Sequence, residues 1–315
     1  MLKLQFFGNS LLKIWLVPSL IQTKSVLIWF IFKWYDNMKL AITGPTSGIG
    51  AITFQELVPV CEKVYFLARN AEKANLEIKK LRPEYQEKVQ FIPMDLADLE
   101  TVKTASEKIQ ESTDSIDVLI NNAGGIFSQY EKTKDGFELS FSANHLGHFL
   151  LTNLLLPQLL ESANPKVINV SSEAHRAAKV NFDDLQFEKN NYSAFNAYAN
   201  VKLFNILFSK SLKEKFGDQG LKSYALHPGV VKTNFGKEAN GIFKLFWKLA
   251  TPFMIDANQG ARTSIFLAKT QLPDNQNGYY YKNSKPSVPS REARSQKYRD
   301  KLWEISLEHS TPWMS

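Results

Sequence analysis

The chain has 315 residues, 44% of them hydrophobic and 22% charged, with a single cysteine, Cys61. That is enough apolar residue for a substantial core, while 15 glycines, 13 prolines and one cysteine exclude collagen-like, low-complexity and disulfide-stapled classes. The formal charge of +7 is concentrated at the ends: residues 1–37 carry +3 and residues 282–301 carry +5, leaving residues 38–281 near neutrality at +1. A dedicated nucleic-acid binder needs a basic face on its folded body, so nucleic acid is not an expected partner.

Residues 1–37 are rich in aromatics, including Trp15, Trp29, Trp34 and Tyr35, with apolar runs at Leu11–Ile21 and Val26–Phe32. Lys13, Pro18, Gln22, Lys24 and Lys33 interrupt or border these runs, whereas a spanning helix wants about 20 mostly apolar residues. The segment lacks the small-residue cleavage site of a secretory signal and the arginines of a mitochondrial transit peptide. Three readings stay open: a membrane anchor, an interfacial aromatic-basic segment, or a non-native leader ahead of Met38. The body reads as a cytoplasmic enzyme, with membrane association through residues 1–37 as the alternative.

From Lys39 onward, strand and helix alternate. Apolar runs at Leu40–Thr43, Val64–Leu67, Val89–Ile92, Asp117–Ile120, Val167–Val170 and Ser223–Leu226 predict strands. Between them, helices are expected from Ile49 towards Pro59, over Ala71–Leu81, Leu99–Gln110, a long apolar stretch over about 136–160, and Ala194–Phe216. Short buried strands separated by helices imply parallel crossovers, hence an α/β, doubly wound parallel sheet with helices on both faces.

The first turn reads Thr43-Gly44-Pro45-Thr46-Ser47-Gly48-Ile49-Gly50. Glycines there let the backbone approach a pyrophosphate, and the following helix N-terminus offers free N–H groups and the positive end of its dipole. At the end of the second strand, an NAD site usually places an acid against the ribose hydroxyls, while arginine accommodates a 2′-phosphate. Here the strand ends Ala68-Arg69-Asn70, without an acid. NADP(H) is therefore expected in preference to NAD(H), although Arg69 could also be a solvated helix-start residue.

Tyr198-Ala199-Asn200-Val201-Lys202 places a phenol and an ammonium four residues apart, on one helix face. A free phenol, with a pKa of about 10, is a poor proton shuttle at neutral pH, and a nearby cation lowers it towards the useful range. Taken alone, this spacing is equally that of an exposed helical pair.

The surrounding motifs decide between these readings. Thr43-Gly44-x-x-x-Gly48-Ile49-Gly50, Asp95-Leu96, Asn121-Asn122-Ala123-Gly124, Asn144, Ser171-Ser172, Tyr198-x-x-x-Lys202 and Pro228-Gly229 occur in one order, and with them the sequence resembles the short-chain dehydrogenase/reductase family. Asn144-His145-Leu146-Gly147-His148-Phe149, Asn169-Val170-Ser171-Ser172-Glu173-Ala174-His175 and His227-Pro228-Gly229-Val230-Val231 look most like its retinol-dehydrogenase branch. The resemblance runs from Lys39 to about Trp303.

The resemblance implies a Rossmann-type fold and a division of labour. Tyr198 would be the acid/base, Lys202 would lower its pKa and bind the nicotinamide ribose, and Ser172, the second serine of the pair, would polarise the substrate carbonyl. Asn144 would hold a water linking Lys202 to solvent. The glycine turn (Gly44, Thr46, Ser47, Gly48, Ile49, Gly50), Arg69, Asp95 and Leu96 at the adenine, Asn121, Ala123 and Gly124, and Pro228, Gly229, Val231 and Thr233 would contact the cofactor. Val201 departs from the small residue usual before the lysine, but removes no catalytic group.

Residues 234–256, with Ile242-Phe243 and Leu245-Phe246-Trp247, would form a C-terminal substrate cap over an apolar pocket; a core-packing helix is the plainer alternative. Lys244 and Lys248 hint at membrane-surface docking. His145 and His148 lack the cysteine or carboxylate neighbours of a metal site. His175 and Arg176 read equally as lining the substrate entrance or as a solvated loop. Cys61 reads as a small core residue, and Lys282–Lys301 as a solvated extension.

The expected function is oxidoreduction between an alcohol and an aldehyde or ketone on a small hydrophobic substrate, of retinoid, steroid or fatty-aldehyde type. The alternatives are a non-catalytic NAD(P)-binding regulator or a membrane-tethered scaffold on the same fold.

Overall fold

The computed structural model describes residues 37–229 and 255–314. Residues 1–36, Val231, Thr233 and the cap up to Met254 lie outside these, so the readings placed on them are not addressed by the structure.

The strands are β1 (Met38–Thr43), β2 (Cys61–Ala68), β3 (Val89–Pro93), β4 (Val118–Asn121), β5 (Lys166–Val170), β6 (Lys222–His227), β7 (Tyr280–Lys282) and β8 (Lys285–Ser287). They form one sheet in the order β3-β2-β1-β4-β5-β6-β7-β8. Every neighbouring pair is parallel except β7 with β8, an antiparallel edge. The main helices are α1 (Gly48–Leu57), α2 (Ala71–Ile78), α3 (Leu99–Gln110), α4 (Gly147–Leu154), α5 (Ala194–Phe216), α6 (Ala257–Lys269) and α7 (Gln296–Ser310). The doubly wound α/β architecture is that expected from the alternating pattern.

The central strands are largely buried and mostly apolar because both faces are covered, and their two-residue period sorts the apolar side chains into two cores. Ala41, Leu119, Val167 and Ala225 pack with α3, α4, α5 and α7 through Val102, Phe149, Phe204 and Leu302. Leu40, Ile42, Ile120, Ile168 and Leu226 point the other way, onto Phe54 of α1 and Leu267 of α6. Cys61 is fully buried in this second core, and its thiol donates to the Leu57 carbonyl at 3.2 Å; it is the core residue expected.

Two expectations are corrected. The single helix expected over about 136–160 is interrupted: a short helix (Leu139–Phe141) runs into a π-turn (Ser142–Leu146), then α4, then a separate turn (Leu156–Leu160). Pro157 lacks the N–H a continuous helix needs. At the π-turn, Asn144 Nδ2 donates to the Ser140 carbonyl at 3.1 Å, the acceptor that the residue-144 N–H uses in a regular α-helix, and such bulges commonly mark functional positions.

The basic stretch from Lys282 to Lys301 is not a solvated extension. It supplies β8, a buried Ala293 and the first half of α7, which packs on α4 and α5. Trp303 of α7 stands edge-on to Phe149 at 4.9 Å, with Lys215 Nζ 4.8 Å over its ring. Ser306 Oγ meets buried His145 Nε2 at 2.8 Å. Lys285, Arg291, Arg294, Lys297 and Lys301 are exposed, so a high local charge coexists with a packed inner face. Trp303→Ala is expected to lower stability by about 2–4 kcal/mol, read as a shift of the urea midpoint; an unchanged midpoint would mean that α7 is an appendage.

Candidate active site

The strand order reverses between β1 and β4, and a crevice opens at the carboxyl ends of the strands there. The cleft has a volume of about 1240 Å³ and runs from the β1–α1 turn, past the end of β2, to Ser172, Tyr198, Lys202 and Gly229. The turn needs its glycines. Gly44 has φ +66°, and a Cβ there would stand 2.8 Å from the Ala123 side chain; one on Gly50 would meet the Gly44 carbonyl oxygen at 2.5 Å.

Thr43 ties this turn to the end of β4. The N–H groups of Asn122 and Ala123 donate to Thr43 Oγ1 at 3.0 and 2.9 Å, filling both its acceptor positions. Its own proton therefore goes to His148 Nε2, at 2.9 Å, and the imidazole proton sits on Nδ1, facing the Asn144 carbonyl at 3.4 Å.

The two serines after β5 have separate tasks. Ser171 is buried and donates to the Lys202 carbonyl at 2.6 Å, fastening β5 to α5. Ser172 caps the turn that follows: its Oγ accepts from the Ala174 N–H at 3.2 Å and bonds to the Tyr198 side chain. Lys202, one turn along α5 from Tyr198, is almost fully buried; its Nζ donates to the Val170 carbonyl at 3.0 Å and lies 5.5 Å from the Tyr198 ring centroid.

Burial opposes ionisation of both groups. It raises the Tyr198 pKa to about 12 against the lowering hydrogen bond from Ser172, and it pulls Lys202 down to about 8. The phenol is thus held protonated, with Lys202 Nζ beside its ring. The cleft wall near them is apolar, with Ile126, Phe127, Leu139, Ala143, Ala177 and Phe195. Tyr192 donates to the Phe127 carbonyl at 2.9 Å and fixes that wall.

The family model for short chain dehydrogenases matches residues 39–241. The chain belongs to the short-chain dehydrogenase family. It is 37% identical to retinol dehydrogenase 12 of Mus musculus over 270 residues, covering 85% of each chain. With retinol dehydrogenase 11 of Homo sapiens the identity is 35%, over 85% of this chain and 84% of the relative. An uncharacterised Mycobacterium paratuberculosis protein of solved structure is 31% identical, with a TM-score of 0.72 over 88% of this chain and 94% of that one. The NADPH-bound carbonyl reductase from chicken fatty liver shares the fold at a TM-score of 0.62 and 21% identity, over 81% of this chain and 99% of that one. This dehydrogenase therefore lies in the retinol-dehydrogenase-like branch and is an oxidoreductase of CH–OH groups using a nicotinamide cofactor.

Most of the residues expected at the site line its cleft: Gly44, Thr46, Ser47, Gly48, Ile49, Gly50, Arg69, Asp95, Leu96, Ala123, Gly124, Ser172, Tyr198, Lys202, Pro228 and Gly229. Arg69 is exposed, yet it pairs with Asp95 at 3.6 Å across the mouth. Asn121 is not among the residues that line the cleft. Its side chain turns into the core, donating to Thr152 and Asn169 at 3.1 and 2.9 Å, because β4 continues to that residue. Asn122 lines the cleft instead and holds the Thr43 carbonyl at 2.9 Å.

Asn144 lies beneath the cleft, not on its wall. Its amide accepts from the Gly125 N–H at 2.8 Å and donates to Gly125 and Ser140. A methyl placed on Gly124 would come within 2.5 Å of Asn144 Oδ1 and 3.4 Å of Lys202 Nζ, so these two side chains flank that backbone.

Sequence reasoning passed over Lys73, which lines the cleft one turn into α2, beside Asn70, the cap of that helix. The signal was an Arg-Asn-x-x-Lys run entering a helix.

His145 and His148 are buried, and burial pulls both pKa values from 6.5 to about 3. Below pH 6.5 the unfolded chain binds protons that the folded chain refuses, so stability is expected to fall as pH drops from 6.5 towards 3. His148→Gln is expected to flatten that slope in urea titrations run across the range; an unaltered slope would assign the acid lability elsewhere.

Proposed function

We propose that this dehydrogenase interconverts a hydrophobic aldehyde or ketone and its alcohol, prefers NADP(H), and uses Tyr198 as the acid/base. The observation that carries the reading is the array in which Ser172 bonds the Tyr198 phenol while Lys202 lies against the same ring. The nicotinamide cofactor supplies the hydride on reduction and takes it on oxidation.

Ser172 Oγ accepts from the Ala174 N–H and bonds the Tyr198 phenol, and a substrate carbonyl oxygen entering beside them would take its hydroxyl proton as a hydrogen bond. The protonated phenol of Tyr198 is set to deliver a proton to that oxygen as negative charge grows there. Lys202 keeps donors free beyond its bond to Val170, enough to bind a ribose hydroxyl and to stabilise the phenolate left behind. Asn144 holds the Gly124–Gly125 backbone in place and keeps one Oδ1 lone pair for a water that would return the proton through Lys202. The apolar wall supports a retinoid-, steroid- or fatty-aldehyde-like substrate.

For the cofactor, the cleft beside α2 holds Arg69 and Lys73 and has no carboxylate at the end of β2. Two cations beside a helix N-terminus favour a 2′-phosphate over a free hydroxyl.

Tyr198→Phe is expected to lower kcat by about 10²- to 10⁴-fold with NADPH and a long-chain aldehyde, without abolishing cofactor binding. Ser172→Ala should follow it. Ser171→Ala should act first on stability, by about 1 kcal/mol, with a smaller loss of kcat. Wild-type turnover by Tyr198→Phe would sink the catalytic reading and favour a non-catalytic regulator on this fold.

Replacing Arg69 by Glu should raise the KM for NADPH by about 10- to 100-fold relative to that for NADH, the worth of one charge-assisted hydrogen bond. An enzyme that already prefers NADH would overturn the NADP assignment.

A further inference from the structure

His175 is not at the substrate entrance. It is buried, does not line the cleft, and stacks edge-on against Tyr280 of β7 at 5.1 Å. Its Nδ1 stands 2.6 Å from the Ser172 carbonyl oxygen, and its Nε2 stands 3.1 Å from the Ser290 N–H. A carbonyl can only accept and a backbone N–H can only donate, so both contacts are satisfied only by a neutral ring with its proton on Nδ1. Burial, which disfavours the imidazolium, agrees with that state.

The Ser172 carbonyl thus receives two donors from one residue, the His175 N–H at 3.1 Å and the ring. The far side of the ring is held by the chain after β8. The same turn is tied to that region twice more: Arg176 donates to the Val288 carbonyl at 2.7 Å, and Glu173 accepts from the Tyr280 hydroxyl at 2.9 Å. Segments 170–176 and 280–290, more than a hundred residues apart in sequence, are one mechanical unit at the serine.

We propose that His175 is a positioning residue for the reaction: its Nδ1–H···O=C bond, braced at Nε2 by Ser290, fixes the Ser172 peptide so that Oγ meets the substrate carbonyl. This rests on the reading of Ser172 as the group that polarises that carbonyl. A shift of the serine by even a fraction of its hydrogen-bond length loses transition-state stabilisation without loosening the cofactor site, because His175 meets the cleft only through Ser172 and does not itself line it.

The two ring nitrogens can be tested separately. An Asn side chain reproduces the Nδ1 donor, and a Gln side chain reproduces the Nε2 acceptor. His175→Gln should lower kcat by about 10- to 100-fold while leaving the NADPH dissociation constant unchanged, and His175→Asn should recover most of the loss. In a Ser172→Ala background, His175→Gln should cost nothing further, since its effect passes through that serine. Full activity in His175→Gln, equal losses in the Gln and Asn variants, or additive losses in the double variant would each overturn the proposal.

If Ser172→Ala itself keeps its kcat, the catalytic reading has failed and this inference fails with it; a dead Ser172→Ala beside an active His175→Gln sinks the inference alone. A measurement on the wild-type chain needs no variant to fold: histidine nitrogen NMR should show residue 175 protonated at Nδ1, and protonation at Nε2 would overturn the proposal.

Discussion

A doubly wound sheet creates a hydrogen-bonding problem at the place where it does its work. The two innermost strands, β1 and β4, stop pairing as they turn to opposite faces, and the next N–H groups of β4, at Asn122 and Ala123, have no ladder partner. Thr43 Oγ1 accepts both, and passes its own proton to the buried ring of His148. That one hydroxyl holds the crevice open at a set width and locks the loop that lines it. Through His148 it also reaches the carbonyl of Asn144, in the π-turn beneath the site. The cofactor cleft, the glycine turn and the floor under Lys202 all refer to this junction.

Tyr198 and Lys202 are held by a different balance of forces. Burial alone would make Tyr198 a weaker acid and Lys202 a weaker base than in water. Their usefulness comes from partners supplied at the end of β5: the Val170 carbonyl for the ammonium, and Ser172 for the phenol. Ser171, one residue before, is spent on fixing α5 to the sheet. Both serines border the cleft, but their hydroxyls turn different ways at one extended strand end, that of Ser171 to the Lys202 carbonyl and that of Ser172 to Tyr198.

Much of this was legible in the residues. Apolar runs with the right spacing located the central strands, and the helix expected over Ala194–Phe216, which carries Tyr198 and Lys202, has those bounds in the structure. Contacts made across long sequence separations were not legible. The π-turn at Asn144 depends on a side-chain amide taking a backbone carbonyl, and Asn121 and Asn122 differ only in where β4 ends. Lys282–Lys301 carried a charge pattern that resembled solvated chain, because its buried face is sparse in sequence and made mainly by Pro289, Ala293 and the half-buried Tyr298.

What the sequence determined by itself was the chemistry: a glycine turn after a first strand, a phenol and an ammonium one helical turn apart, a serine ahead of them, and cations where an acid would otherwise read a ribose. These are local patterns, set by backbone sterics and helical or strand periodicity within a few residues. The tertiary structure alone decided that Ser171 fastens α5 to the sheet, which asparagine lines the cleft, and that a histidine beside the site joins the turn after β5 to the C-terminal edge of the sheet. Those assignments depend on which donor meets which acceptor once distant strands lie side by side, and no local pattern carries that information.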